Sequence, residues 1–318
     1  MSIPRRLKSA VPSTRYVFMA DSFKPGTVRP DDFEAYWQRV TEELDALPLA
    51  PEVEELPLRE TEFSKTYAVH YTGIGPYRLF GYLSLPKGQG PFPTMVYMSR
   101  YQSVHELIPQ GDASEKRQRY AIFTAAARGQ RNADRPYAAA FPGIFTDGGE
   151  DPQRYIFRGF VADCCRAVDY ILTRPEVDPG RIACLADNDL SLLTAALRDH
   201  FSQIIATPTF FYAATDLAPQ TEAYPREEIN DYLRLYPERR DLIARTLAYF
   251  EPLFFAPKIK AKTLLWGDPE TIGPLAEAIA GEVEQQSSVS RYKDGVYQEQ
   301  WLAHQWGFED AILPAHWH

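Results

Sequence analysis

The feature that most restricts how this chain can fold is the order of segments after residue 94, where short apolar runs alternate with stretches of helical period. TMVYM (94–98), RIACLA (181–186), residues 204–208 and residues 263–266 read as buried strands. Between them, FRGFVADCCRAVDYILT (157–173) is an amphipathic helix closed by Pro175 and the turn cluster Asp178, Pro179, Gly180. Residues 225–248 read as a mostly helical insertion. A helix over about 273–286, a strand over 288–293 and a last helix over 297–313 complete the series. Strands separated by helices pair in parallel and are covered on both faces, so the fold class is α/β with a mostly parallel central sheet. Upstream, residues 67–71 and 79–85 flank GIGP and read as an antiparallel hairpin on the edge of that sheet. Residues 31–47 place Phe33, Trp37, Val40, Leu44 and Leu47 on one helical face, with Asp31 or Asp32 as N-cap. The expected organisation is an extension over 1–24 and a single domain over 25–318.

Composition narrows the function. With 45% hydrophobic and 24% charged residues, the 318-residue chain buries a sizeable core. Its 34 basic and 43 acidic residues give a net charge of −9, which repels phosphate backbones and anionic membrane surfaces. Neither nucleic acid nor membrane is an expected partner. No run approaches the roughly 20 apolar residues of a membrane span, and residues 1–18 do not resemble a signal peptide. A cytoplasmic location is therefore expected. Cys164, Cys165 and Cys184 lack C-x-x-C spacing and read as buried free thiols. His70 falls in a strand, His200 at a helix end, His304 in the last helix, and His316 and His318 in the tail. None has a metal-ligand partner at helical spacing, so no metal and no cofactor is expected.

Four segments resemble the cephalosporin C deacetylase and acetyl xylan esterase family of bacterial carbohydrate esterases. They are PDDFEAYWQRVTEELDAL (30–47), ARGQ (127–130), YIFRGFVADCCRAVDYILTRPEVDPGRI (155–182) and TLAYFEPLFFAPKIKAKTLLWG (246–267), and the likeness covers roughly residues 25–313. The resemblance implies an α/β-hydrolase fold with an N-terminal helix, an antiparallel hairpin and a helical insertion before the acid-bearing strand. It also implies a homo-oligomer and Ser-Asp-His deacetylation of small acetylated substrates. That chemistry needs a serine on a tight strand-to-helix elbow, a histidine within reach and a carboxylate to orient the histidine.

Laid against the family pattern, the elbow reads Ala186, Asp187, Asn188, Asp189, Leu190, with Asn188 in the serine position and Ala186 and Leu190 in place of glycines. A leucine there is expected to crowd the helix packing that glycine permits. The acid position falls on Glu270, and counting from SRYKDG puts Val296 at the histidine position. The backbone donors of the oxyanion hole correspond to Tyr101 and Asp189, and Asp189 is expected to place negative charge beside the hole. A relocated centre would draw on Ser99, Arg100 and His105, or on Ser191. Family geometry brings Asp187, Asp189 and Glu270 around one pocket, as an acid/base group or as a group recruiting Arg100 or Arg128; the alternative is an N-capping Asp189 beside a solvated Asp187. Two functions follow. One is a pseudoenzyme or repurposed protein that binds a small molecule or performs acid/base chemistry without a serine acyl-enzyme. The other is an active deacetylase with a rebuilt site.

Overall fold

The computed structural model describes residues 23–101, 115–130 and 139–309. Its strands are β1 (Glu52–Glu55), β2 (Ser64–Gly73), β3 (Tyr77–Pro86), β4 (Phe92–Tyr97), β5 (Ala121–Ala126), β6 (Val177–Ala186), β7 (Gln203–Ala206), β8 (Lys262–Trp266) and β9 (Val283–Gln286). They form one sheet in the order β1-β2-β3-β5-β4-β6-β7-β8-β9. The β1, β2, β3 and β5 pairings are antiparallel, and all pairings from β5 through β9 are parallel. The helices are α1 (Phe33–Asp45), α2 (Ile156–Leu172), α3 (Leu190–Leu197), α4 (Ala214–Leu217), α5 (Glu227–Leu235), α6 (Arg240–Ala248), α7 (Pro252–Phe255), α8 (Pro269–Ala278) and α9 (Arg291–Gln305).

The two-residue period of the central strands divides the core. Val96, Cys184, Ile204 and Leu265 point into the larger cluster, which includes α1, α2 and α3. Met95, Ala183, Leu185, Ile205, Leu264 and Trp266 point to the other face, where Trp301 and Leu302 of α9 and Trp306 just beyond it cover them. Because both faces are covered, these strands carry apolar residues at successive positions.

Helix α1 buries Phe33, Trp37, Val40 and Leu44, as its spacing requires, and also Tyr36. Asp32 holds the N-cap position without a side-chain cap; its carboxylate instead accepts the Tyr249 hydroxyl at 2.5 Å. The Trp37 indole donates to Tyr249 O at 2.7 Å, and its ring meets Phe250 and Phe255 edge-on. In α2, Gly159 permits a close approach: a Cβ there would lie 2.3 Å from the Arg128 guanidinium. That guanidinium donates to both oxygens of Asp163, at 2.8 and 2.7 Å. ARGQ and the start of the Tyr155 segment are thus two halves of one joint.

The C-terminal third departs from expectation. The helix expected over 273–286 is α8, Pro269–Ala278, with Gly273 and Pro274 inside it rather than at its start. The strand expected over 288–293 is β9, Val283–Gln286, and the last helix begins at Arg291 instead of 297. The cause is that β9 has a single neighbour and reads VEQQ, so it lacks the apolar alternation that marks a strand. The wholly buried β5 and the exposed, acidic β1 also went unread. His200 lies beyond α3, which ends at Leu197. The three cysteines are buried and free, and burial pushes the Cys165 thiol up to about 12. Among the described residues no helix is long and apolar enough to cross a membrane.

Candidate functional site

The parallel strands all end on one edge of the sheet, and the connections leaving β4, β6, β7, β8 and β9 meet there. Such carboxyl edges are where open α/β sheets hold ligands. The elbow between β6 and α3 is the centre of this edge. Asn188 at its tip is 1% exposed. Its Oδ1 accepts the Leu190 N–H at 2.9 Å, and its Nδ2 donates to Ser99 O at 3.1 Å. One amide therefore joins the start of α3 to the connection after β4. Leu190 does not crowd the helix; it enters the larger core at 1% exposure.

The neighbouring polar groups are consumed in the same way. The Ser99 hydroxyl donates to Ala125 O at 3.0 Å and accepts the Ala127 N–H at 2.8 Å. At 2% exposure it bridges β4 to β5 and is not placed as a nucleophile. Ser191 is buried in α3 and donates to Ile205 O at 3.1 Å. His105 lies outside the described residues.

Asp189 neither caps α3 nor charges the edge. It has no side-chain cap bond, and its Oδ2 turns inward to accept the Phe210 and Phe211 N–H groups at 2.5 and 2.7 Å. Burial pushes this carboxyl up to about 6, against the opposing pull of Arg226 and the backbone donors. Glu251 treats the same connection alike, accepting the Ala213 N–H at 2.8 Å, and burial pushes it up to about 8. Arg226, from the start of the insertion, donates to Pro208 O and Tyr212 O at 3.1 and 2.8 Å. Residues 208–213 are thus gripped by two buried carboxylates through their N–H groups and by one guanidinium through their carbonyls. Glu228 on α5 accepts the Phe145 N–H at 2.8 Å and the hydroxyl of Tyr101, whose ring meets Phe145 and Phe210 edge-on. Burial pushes Glu228 up to about 7. Sequence reading missed Arg226 and Glu228, because a charged Arg-Glu-Glu helix start looks like a solvated face, and it missed Glu251, a lone carboxylate between Phe250 and Pro252.

The three expected carboxylates do not converge. Asp187 is two-thirds exposed and pairs with Arg100 at 2.9 Å, Asp189 faces inward, and Glu270 lies exposed in the first turn of α8. Arg128 is committed to Asp163. Val296 lies within α9, so the connection after β9 is 287–290, which reads Ser-Ser-Val-Ser and contains no histidine. No group of three acidic, histidine or cysteine side chains among the described residues is placed to hold a metal.

On the β8 and β9 side of the elbow the edge is open. A cleft of about 320 Å³ is lined by Arg100, Asp187, Thr207, Trp266, Ser288 and the Asp294–Gly295–Gln298 turn of α9. Asn188, Glu270 and Val296 do not line it.

A mostly parallel sheet clasped by helices, with a sharp strand-to-helix elbow at its centre, is the architecture of an α/β hydrolase. The acetyl xylan esterase family model matches residues 19–272, and the chain belongs to that family. It is 23% identical over 286 residues to the acetyl esterase Axe7A of Xylanibacter ruminicola, a match covering 81% of this chain and 60% of that relative's length. An acetyl xylan esterase from Paenibacillus sp. R4 superposes with TM-score 0.75 at 25% identity, over 88% of this chain and 96% of the other. Acetyl xylan esterase 1 from Thermoanaerobacterium sp. JW/SL YS485 superposes with TM-score 0.72 at 22% identity, over 87% and 94%.

Proposed function

We propose that this member of the acetyl xylan esterase family has given up hydrolysis through a serine acyl-enzyme and binds a small molecule at the carboxyl edge of its sheet. The single observation that carries the reading is Asn188. An amide is not a nucleophile of the triad type, and this one spends both its ends on Ser99 O and the Leu190 N–H. The loop that would supply a histidine reads Ser-Ser-Val-Ser, so a serine placed nearby would have no base there to activate it.

Acid/base chemistry has less support. Asp187 already neutralises Arg100, and the raised carboxyls of Asp189 and Glu251 are sealed against backbone donors. The open cleft supports binding instead, since small-molecule sites are concave and start near 300 Å³.

The test is p-nitrophenyl acetate hydrolysis by purified protein, with and without a serine-directed phosphonate. The expected result is a rate indistinguishable from that of a denatured control and no covalent adduct. Saturable turnover abolished by the phosphonate would overturn the proposal and return the chain to the deacetylases.

A further inference from the structure

The helical insertion is held to the rest of the molecule by polar ties of two kinds. Most of them balance their own charge. Arg226, at its start, donates to Pro208 O and Tyr212 O with Asp189 and Glu251 close by. Tyr232 of α5 donates to Glu150, which also pairs with Arg239, and Glu227 and Asp231 share Arg234. Glu228 is the exception. It is buried and forms no ion pair among the described residues, yet its two oxygens carry the bonds that join α5 to Tyr101 and to the Phe145 N–H.

The residues packed around this carboxyl offer it no counter-charge. A Cβ added at Gly143 would lie 2.3 Å from Glu228 Oε1, so the turn before Phe145 meets the carboxyl with bare backbone. Residues 143–146, Gly-Ile-Phe-Thr, carry no charge, and Asp147 follows them. On the connection after β4, Arg100 is paired with Asp187. On the 208–213 side, Asp189 is spent on the Phe210 and Phe211 N–H groups. On the insertion itself, the Arg226 guanidinium turns to carbonyls, and Asp231 is a like charge. Burial pushes the Glu228 carboxyl up to about 7, opposed by the Phe145 N–H and reinforced by Asp231.

We propose that Glu228 is a proton-operated latch: protonated, it holds α5 against Tyr101 and the 143–146 turn, and ionised, it lets α5 part from them while Arg226 stays anchored. Parting loosens a cluster in which the rings of Tyr101, Phe145 and Phe210 meet edge-on. The inference holds whether or not the chain hydrolyses esters. Once in water the carboxyl titrates near about 4, so the closed state holds the extra proton between about pH 4 and 7. Opening should grow about tenfold per pH unit across that window and level off above it.

The experiment is amide hydrogen exchange of the full chain from pH 5 to 8, corrected for the intrinsic rate and read in peptides covering 141–149, 225–236 and, as a stable reference, α2. The first two should exchange together, at least about tenfold faster than α2 at pH 7, and lose protection about tenfold per unit between pH 5 and 7. Glu228→Gln keeps the size and can make both contacts but cannot ionise, so its latch peptides should show the same protection throughout. Tyr101→Phe removes a hydroxyl and keeps the proton, so it should lower protection at every pH and leave the slope. Circular dichroism establishes that each variant is folded. Parent protection independent of pH, an unchanged slope in a folded Glu228→Gln, or latch peptides that open only together with α2 would each overturn the inference.

Discussion

The two halves of the sheet's carboxyl edge differ in how far they are closed. Around the elbow, Asn188, Ser99, Ser191 and Asp189 are all buried and bonded to backbone. Across the edge, beside β8 and β9, an open cleft runs along Arg100, Asp187, Trp266 and the start of α9. Polar side chains enclosed by secondary structure are spent on stability, while the open side leaves a concave surface.

The contrast is broken most directly at Asp189. Asp189→Ala should cost about 3–5 kcal/mol in urea unfolding, since it strands two buried N–H groups and leaves Arg226 without its nearby carboxylate. Asn188→Ala should cost about 2–3 kcal/mol by the same measurement, through an orphaned Leu190 N–H and Ser99 carbonyl. If either variant is as stable as the parent, the elbow is not a structural bridge.

The pH dependence sharpens the same contrast. Asp189, Glu228 and Glu251 are raised by burial to about 6, 7 and 8. In the unfolded chain they titrate near 4. Between these limits the folded state holds more protons, so their contribution is full below about pH 4 and is lost as pH rises through 6, 7 and 8. The melting temperature should therefore be higher near pH 5.5 than at pH 8.5, and Glu251→Gln should flatten the upper part of that slope. The smallest effect belongs to the open side: Glu270→Ala should change stability by less than about 0.5 kcal/mol, as expected of an exposed carboxylate in a helix's first turn.

The legibility of the sequence follows the same division. Helices α1 and α2, the β2–β3 hairpin and strands β4, β6, β7 and β8 were readable because they are buried on one or both faces and so carry strong apolar periods. The end of the chain was not, since β9 is polar and α8 carries Gly273 and Pro274 inside it. Val296, where the family pattern places the histidine, is a residue of α9. At the elbow, Asn188 stands between strand and helix. What the letters could not convey was direction: Asp187 and Asp189 are two residues apart, and one meets solvent while the other meets the core.

Asn188 also bears on how the fold would tolerate a serine at this position. A serine at 188 has one short arm where the amide has two, so it cannot span from the Leu190 N–H to Ser99 O. An Asn188→Ser substitution would therefore loosen the fold, because it gives up one of these two bonds. The amide is a cross-brace: only a side chain with both a donor arm and an acceptor arm can hold the start of α3 to the connection after β4.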